Sequence, residues 1–275
     1  MKIEIMSLPF KLITVVSAST WTLISVVICP LSIHAQTNTL TSNPNKKPNP
    51  NNQTKPRQTN QSKTWKRKQP APSGPSAGPS RGGCPNMQKK LTSLIPVFQE
   101  PDTRYPGKYI EHSEGYTVAE RPSFWFYIPY TPDQIVSSEF ILSNQKGLNK
   151  AYVLITGTPG IIKVSLPDKV KLTIGEWYES KLKLTVFCSN GLQEDETAGW
   201  VRRDAIRTTI NPNLPLQQQL AIYINENMWF DALESVAKLK YKDPKNQDWN
   251  QFLKSAGLEA IINEPVIDCC TPKNN

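Results

Sequence analysis

Histidine is close to absent from this chain, with two in 275 residues, His34 and His112. His34 lies in the first apolar run, which leaves His112 in Glu111-His112-Ser113-Glu114 as the one histidine of the remainder. A catalytic triad needs a base held by a carboxylate and facing a nucleophile. No Gly-x-Ser-x-Gly occurs between Gly82 and Asn275, and the Gly/Tyr/Ser surroundings of His112 read as a surface loop. Zinc finds no ligand set either, because Cys-x-x-Cys pairs are missing. There is no phosphate loop and no dinucleotide glycine pattern, and Gly157-Thr158-Pro159-Gly160 reads as a turn. Catalytic residues, metal and cofactor are all expected to be none, and an enzyme is the minority view.

Charge is missing from the start of the chain. No Lys, Arg, Asp or Glu interrupts Leu12 to Gln36, and this run ends with Pro30 and the small-residue site Ile33-His34-Ala35. Residues 1–35 therefore read as a cleaved signal peptide. An uncleaved membrane anchor is the alternative, since about twenty uncharged residues also approach spanning length. Cys29 lacks the small residue before it that lipidation would want.

Acidic residues are absent from Gln36 to Arg81, which holds Lys46, Lys47, Lys55, Arg57, Lys63, Lys66, Arg67, Lys68 and Arg81 among Asn, Pro, Ser and Gly. Such a composition cannot offset its chain entropy by burial, so 36–81 reads as a disordered basic tether. Taking its nine basic residues and the leader's two from the chain's 32 leaves 21, against 22 acidic residues. The net charge of +9 thus belongs to the tether, and the part after it is near neutral. Lys63-Thr64-Trp65-Lys66-Arg67-Lys68 is the densest patch. An aromatic among basic residues suits single-stranded nucleic acid, but an exported chain rarely meets any. The expected partners are an envelope protein or anionic cell-wall polymer, with no nucleic acid, and with a membrane only if the leader is retained. The alternative is a solubilising linker without a specific partner. The oligomeric state is open.

Past the leader stand Cys84, Cys188, Cys269 and Cys270. In an exported chain an even number favours disulfides, and four allow three connectivities. Adjacent Cys269 and Cys270 are expected not to bond each other. The preferred pair is Cys84–Cys188, and Cys269 and Cys270 are then free or joined to another chain.

From Arg121 to about Asp204 the pattern is that of strands. Phe124 to Ile128 is a buried-type run, followed by Glu139–Ser143 and Ala151–Ile155. Ile162, Val164 and Leu166 alternate, as do Val170, Leu172 and Ile174. From Trp177 to Phe187 the residues Tyr178, Leu182, Leu184 and Val186 share one face, and Cys188 continues inward. Ala198 to Asp204 closes the series, and Glu194-Asp195-Glu196 reads as a solvated hairpin tip. Leu172, Gly175 and Tyr178 have the spacing of a tyrosine corner. The fold expected over 82–206 is an antiparallel immunoglobulin/fibronectin-like sandwich.

A helical subdomain follows over 207–265, giving α+β overall, and 266–275 is a polar tail. Its apolar stripes are Leu216-Leu220-Ile224, then Trp229-Leu233-Val236-Ala237 after a capping Asn227. Trp249-Phe252-Leu253-Ala256 comes third, after Asp243-Pro244 and before Gly257. Tyr223 to Pro244 looks like part of a tetratricopeptide repeat, but only one copy is present, which favours helices packed on the sandwich.

Aromatics exceed what one small sheet needs. Most are core, and an outward subset, Trp125 with Tyr127, or Trp177, is the candidate platform for glycan or peptide.

Several motifs converge on one family. They are Arg81-Gly82-Gly83-Cys84-Pro85, Leu91-Thr92-Ser93-Leu94-Ile95-Pro96, Glu120 to Tyr130, Gly157 to Ile162, Gly199 to Arg203 and Trp229 to Leu233. The chain resembles, from about Gly82 to Pro265, a cyanobacterial family of exported proteins known as domain of unknown function number 928. That resemblance implies cyanobacterial origin and matches Cys84 and Cys188 to the family's cysteines; it implies no activity. The function expected is a non-enzymatic periplasmic, cell-surface or secreted binding or adaptor module. The alternatives are a hydrolase of envelope polymer using Glu111 or Glu114, and a structural protein linked through Cys269 or Cys270.

Overall fold

The computed structural model describes residues 65–72 and 80–270. The expected leader and cleavage site, the expected tether up to Thr64 and over 73–79, and the tail after Cys270 lie outside the described residues.

Among the described residues, eleven strands and three α-helices follow one another. The strands are β1 (Arg81–Gly82), β2 (Thr92–Ser93), β3 (Val97–Pro101), β4 (Tyr109–Thr117), β5 (Ser123–Ile128) and β6 (Ile135–Asn144). Then come β7 (Gly147–Tyr152), β8 (Gly160–Ser165), β9 (Trp177–Cys188), β10 (Gly191–Arg203) and, at the end, β11 (Val266–Ile267). Between β10 and β11 run α1 (Leu216–Asn225), α2 (Trp229–Lys242) and α3 (Asp248–Ser255). A larger sheet has the order β3-β4-β10-β9-β6-β7, with β1 beside β10, and a smaller one the order β11-β8-β5-β2. This is a sandwich-like α+β fold. It is not wholly antiparallel, because β4 pairs with β10 and β11 with β8 in parallel.

The two sheets meet through rings. Phe124 and Phe126 of β5 face Phe140 of β6, with centroids 5.0 and 6.1 Å apart. The opposite face of β5 is also covered, since Trp125 meets Trp249 of α3 at 6.3 Å. A strand buried on both sides needs an unbroken apolar run, and Phe124-Trp125-Phe126-Tyr127-Ile128 supplies it. α2 seats on β4 where Gly115 offers no side chain; a Cβ there would stand 3.1 Å from both Trp229 and Phe230.

The alternation in β9 holds as read. Tyr178, Leu182, Leu184, Val186 and Cys188 are buried, and Cys188 is bonded to Cys84. The tyrosine corner also forms. The Tyr178 hydroxyl accepts from the Thr173 N–H at 3.1 Å, beside Gly175 at φ +83°.

Several expectations change. Val170, Leu172 and Ile174 alternate without making a strand, because their backbone is used elsewhere: Leu172 N–H donates to Glu120 O and Ile174 makes one bridge to Arg203. Glu194-Asp195-Glu196 is no tip but the middle of β10, and Asp195 is 1 % exposed. The Asp195 carboxylate accepts from the hydroxyls of Ser80 and Tyr130. This lock sits against Gly83 at φ +84°, where a Cβ would collide with both Tyr130 and Asp195. Glu111 to Glu114 is part of β4 and not a loop. α3 begins at Asp248, while Asp243-Pro244 makes a turn closed by Asn246 N–H to Asp243 O. Cys269 and Cys270 are bonded to each other, against expectation; Cys270 takes a left-handed φ of 80°, which turns the chain back so that the two side chains meet.

Candidate functional site: an aromatic cleft and a basic arm

The outer face of the larger sheet is set by register. Ser143 of β6 stands opposite Glu179 of β9, Glu179 opposite Trp200 of β10, and Trp200 opposite Glu114 of β4. One pair further along, Trp177, Arg202 and Tyr116 form the next row. Paired residues share a face, so these side chains project together, away from the core side of Tyr178 and Val201.

Trp177 and Trp200 pack edge to face, with centroids 6.5 Å apart and planes at 87°, and together line a cleft of about 470 Å³. Its rim includes Asn144 and Lys146 from the β6–β7 turn, together with Glu176 and Glu179. Clefts of this size suit a small ligand or a few units of a polymer. Arg202 stands 5.9 Å from the Trp177 ring and is held by Asp204 at 2.8 Å. The Lys146 ammonium, in hydrogen-bond contact, keeps the Glu176 carboxyl below the usual carboxylate range; Asn144 Nδ2 and the Tyr178 hydroxyl add donors at 3.2 Å. A carboxyl held ionised is an acceptor and not a proton donor.

Within Trp65–Pro72, Lys68 to Pro72 lie on this same face, while Trp65 reaches the helices. The segment expected to be unstructured up to Arg81 is, over these residues, packed against the body. Trp65 is 4 % exposed, edge-on to Trp229 at 4.8 Å and to Phe252 at 5.5 Å, and its Nε1–H donates to Ser255 Oγ at 2.9 Å. Trp229 and Phe252 stack at 4.5 Å to form the floor. Asn227 is not the cap of α2. Its side-chain amide accepts from Lys66 N–H at 2.9 Å and donates to Lys66 O at 2.8 Å. The Tyr116 hydroxyl accepts from Lys68 and Gln69 N–H, both at 2.9 Å, and donates to Gln69 O at 3.1 Å. Burial of Tyr116 raises its pKa, so the phenol stays protonated for this work. Arg67 reaches Glu114 at 2.9 Å and also contacts Glu100, while Ala71 N–H donates to Glu114 at 3.3 Å. Pro72 ends on the rim of the Trp177–Trp200 cleft.

The residues expected to matter are thus redistributed. Trp177 lines a cleft. Trp125 and Tyr127 are 2 % and 4 % exposed, covered because β5 lies between the larger sheet and α3, so they form no platform. Glu114 is 1 % exposed and bound by the arm; Glu111 accepts from Gln99 Nε2 at 2.9 Å. Three positions apart on a strand, these two carboxylates point to opposite faces and cannot serve one bond. His112 Nε2 stands 3.5 Å from Glu100. Cys269 and Cys270 hold each other and offer no thiol to another chain. Trp200 was legible only as a strand residue, and its role emerges from register with Trp177. Trp65 carried one signal, an indole in an otherwise polar stretch.

Among the described residues no group of three His, Cys, Asp or Glu is placed to hold a metal ion. No described helix is long and apolar enough to cross a membrane.

Fold and cleft together define a sandwich-like α+β protein with an aromatic cleft on one sheet face. The chain belongs to the family described as Domain of Unknown Function (DUF928), which matches residues 76–266. That span includes Tyr116, Asn227 and Phe252, which receive the arm, but not the arm itself. No curated protein and no solved structure matches the chain.

Proposed function

We propose that this protein is an exported, non-enzymatic binding module of the cell envelope, whose ligand seats in the cleft lined by Trp177 and Trp200. The observation that carries this reading is the pair of perpendicular indoles in a cleft rimmed by amide and carboxylate groups. Apolar walls suit the C–H faces of sugar rings, and ionised acceptors such as Glu176 suit their hydroxyls. The ligand class is therefore a cell-wall glycan. The Cys84–Cys188 disulfide fits an oxidising, non-cytoplasmic compartment. Hydrolysis of such a polymer would want a carboxyl kept protonated near neutrality, and Glu176 is moved the opposite way.

The test is co-sedimentation of the full chain with purified cell walls. Trp177→Ala and Trp200→Ala should each weaken retention by about tenfold or more, with near-ultraviolet circular dichroism otherwise native. Retention equal to wild type in both variants would sink the cleft as the site. Chain lengths of soluble wall oligosaccharide should stay unchanged on incubation; shortening would establish an enzyme instead.

A further inference from the structure

We propose that the groove beneath Trp65–Pro72 is an exchangeable docking site whose occupant in trans is the same segment of a second copy of this chain. Copies would then join by trading arms, whatever the Trp177–Trp200 cleft binds.

The groove recognises its occupant in two ways. Backbone groups of Lys66, Lys68, Gln69 and Ala71 are held by three side chains, Asn227, Tyr116 and Glu114, which hold the main chain, bent at Lys68-Gln69, without regard to sequence. Identity is read at two positions: an indole in the Trp229–Phe252 cage with its N–H on Ser255, and a guanidinium between Glu114 and Glu100. The groove therefore selects Trp-x-Arg. This chain has that spacing twice, at Trp65-Lys66-Arg67 and at Trp200-Val201-Arg202. The second copy of the motif is fixed inside β10 between β4 and β9, so the arm is the one available source.

All contacts named here are non-covalent, and along the chain residues 73–79 separate the arm from β1. An arm from a neighbouring molecule would make the same bonds, so exchange changes connectivity and not contacts. Swapping of this kind is a low-cost route to dimers, decided by local concentration. Charge favours encounter as well. Arg67 meets Glu100 and Glu114, and Lys68 Nζ donates to the Glu226 carbonyl at 2.9 Å. Attraction of this sort steers association and weakens in salt.

Two full-length variants test it. Trp65→Ala with Arg67→Ala has a dead arm and an intact groove; Asn227→Ala with Tyr116→Phe has the reverse. Each alone should sediment as a monomer. Mixed, they should form a one-to-one heterodimer that an excess of synthetic Lys63–Pro72 peptide disperses. Monomers after mixing, with both variants native by circular dichroism, would overturn the proposal. Should either variant fail to fold, wild type decides the matter. It should show a dimer near 100 μM, where weak complexes form, that added peptide returns to monomer. A strictly monomeric wild type at that concentration would overturn the proposal equally.

Discussion

Asp231 shows how much one side chain can set. It stands in the first turn of α2, half-buried, and accepts from Val118 N–H at 3.0 Å, tying the helix to the end of β4. Burial outweighs those donors and pushes its carboxyl from 3.8 up to about 6. An acid whose pKa is higher folded than unfolded binds more protons in the folded state between the two values. Stability is therefore fullest below pH 3.8 as far as this group goes, falls as pH rises to about 6, and is level above. The span is at most about 3 kcal/mol. Urea unfolding at pH 4.5 and pH 7 should show this loss in wild type and a smaller one in Asp231→Asn; equal slopes would clear Asp231 of the effect. Nothing in Phe230-Asp231-Ala232 announces such a shift, since Asp at a helix start is ordinary. Tyr178 is the contrary case: Leu172, Gly175 and Tyr178 were legible because a corner fixes spacing within one stretch of chain.

Among elements, legibility followed the number of buried faces. β9 alternates because one face is core and the other open, and β5 is continuous because both faces are covered. β4 gave no signal. Its polar Glu114 and its glycine are explained by what lies across from them, the arm on one side and α2 on the other, and both contacts are distant in sequence. β10 was read short for a related reason: Asp195 looks solvated until Ser80 and Tyr130 are brought to it. For β5 the expectation is sharp. Trp125→Ala should cost about 3–5 kcal/mol in denaturant unfolding, as core aromatic truncations do. A variant as stable as wild type would mean that α3 does not cover that ring. At the arm, Lys66, Arg67 and Lys68 should resist trypsin in native wild type and be cut early in Trp65→Ala; early cleavage in both would mean that the cage does not hold.

At the scale of the molecule the disulfide is the strongest constraint. Cys84 and Cys188 lie 104 residues apart, and a closure of that length stabilises by about 4–5 kcal/mol on the chain-entropy account. Replacing both with Ser should lower the melting temperature by several degrees or more, and an unchanged melt would show the bond to be energetically idle. Because Cys269 and Cys270 bond each other, a non-reducing gel should show no disulfide-linked dimer. A reducible dimer band would restore the structural-protein alternative.

The parallel pairing of β4 with β10 also orders events in time. Glu114 meets Trp200 and Arg81 meets Glu196, so the near half of the larger sheet waits for residues far along the chain. Pairings so distant are late and slow to form, whereas the β9–β10 hairpin turns on itself at Cys188–Gly191 and can close first. Pulse-labelled hydrogen exchange should protect β9 and β10 amides before that of Lys66. Among the described residues, Trp65 is the earliest to be synthesised and yet must wait for its place, because Phe252 and Ser255 must arrive before there is anything to receive it.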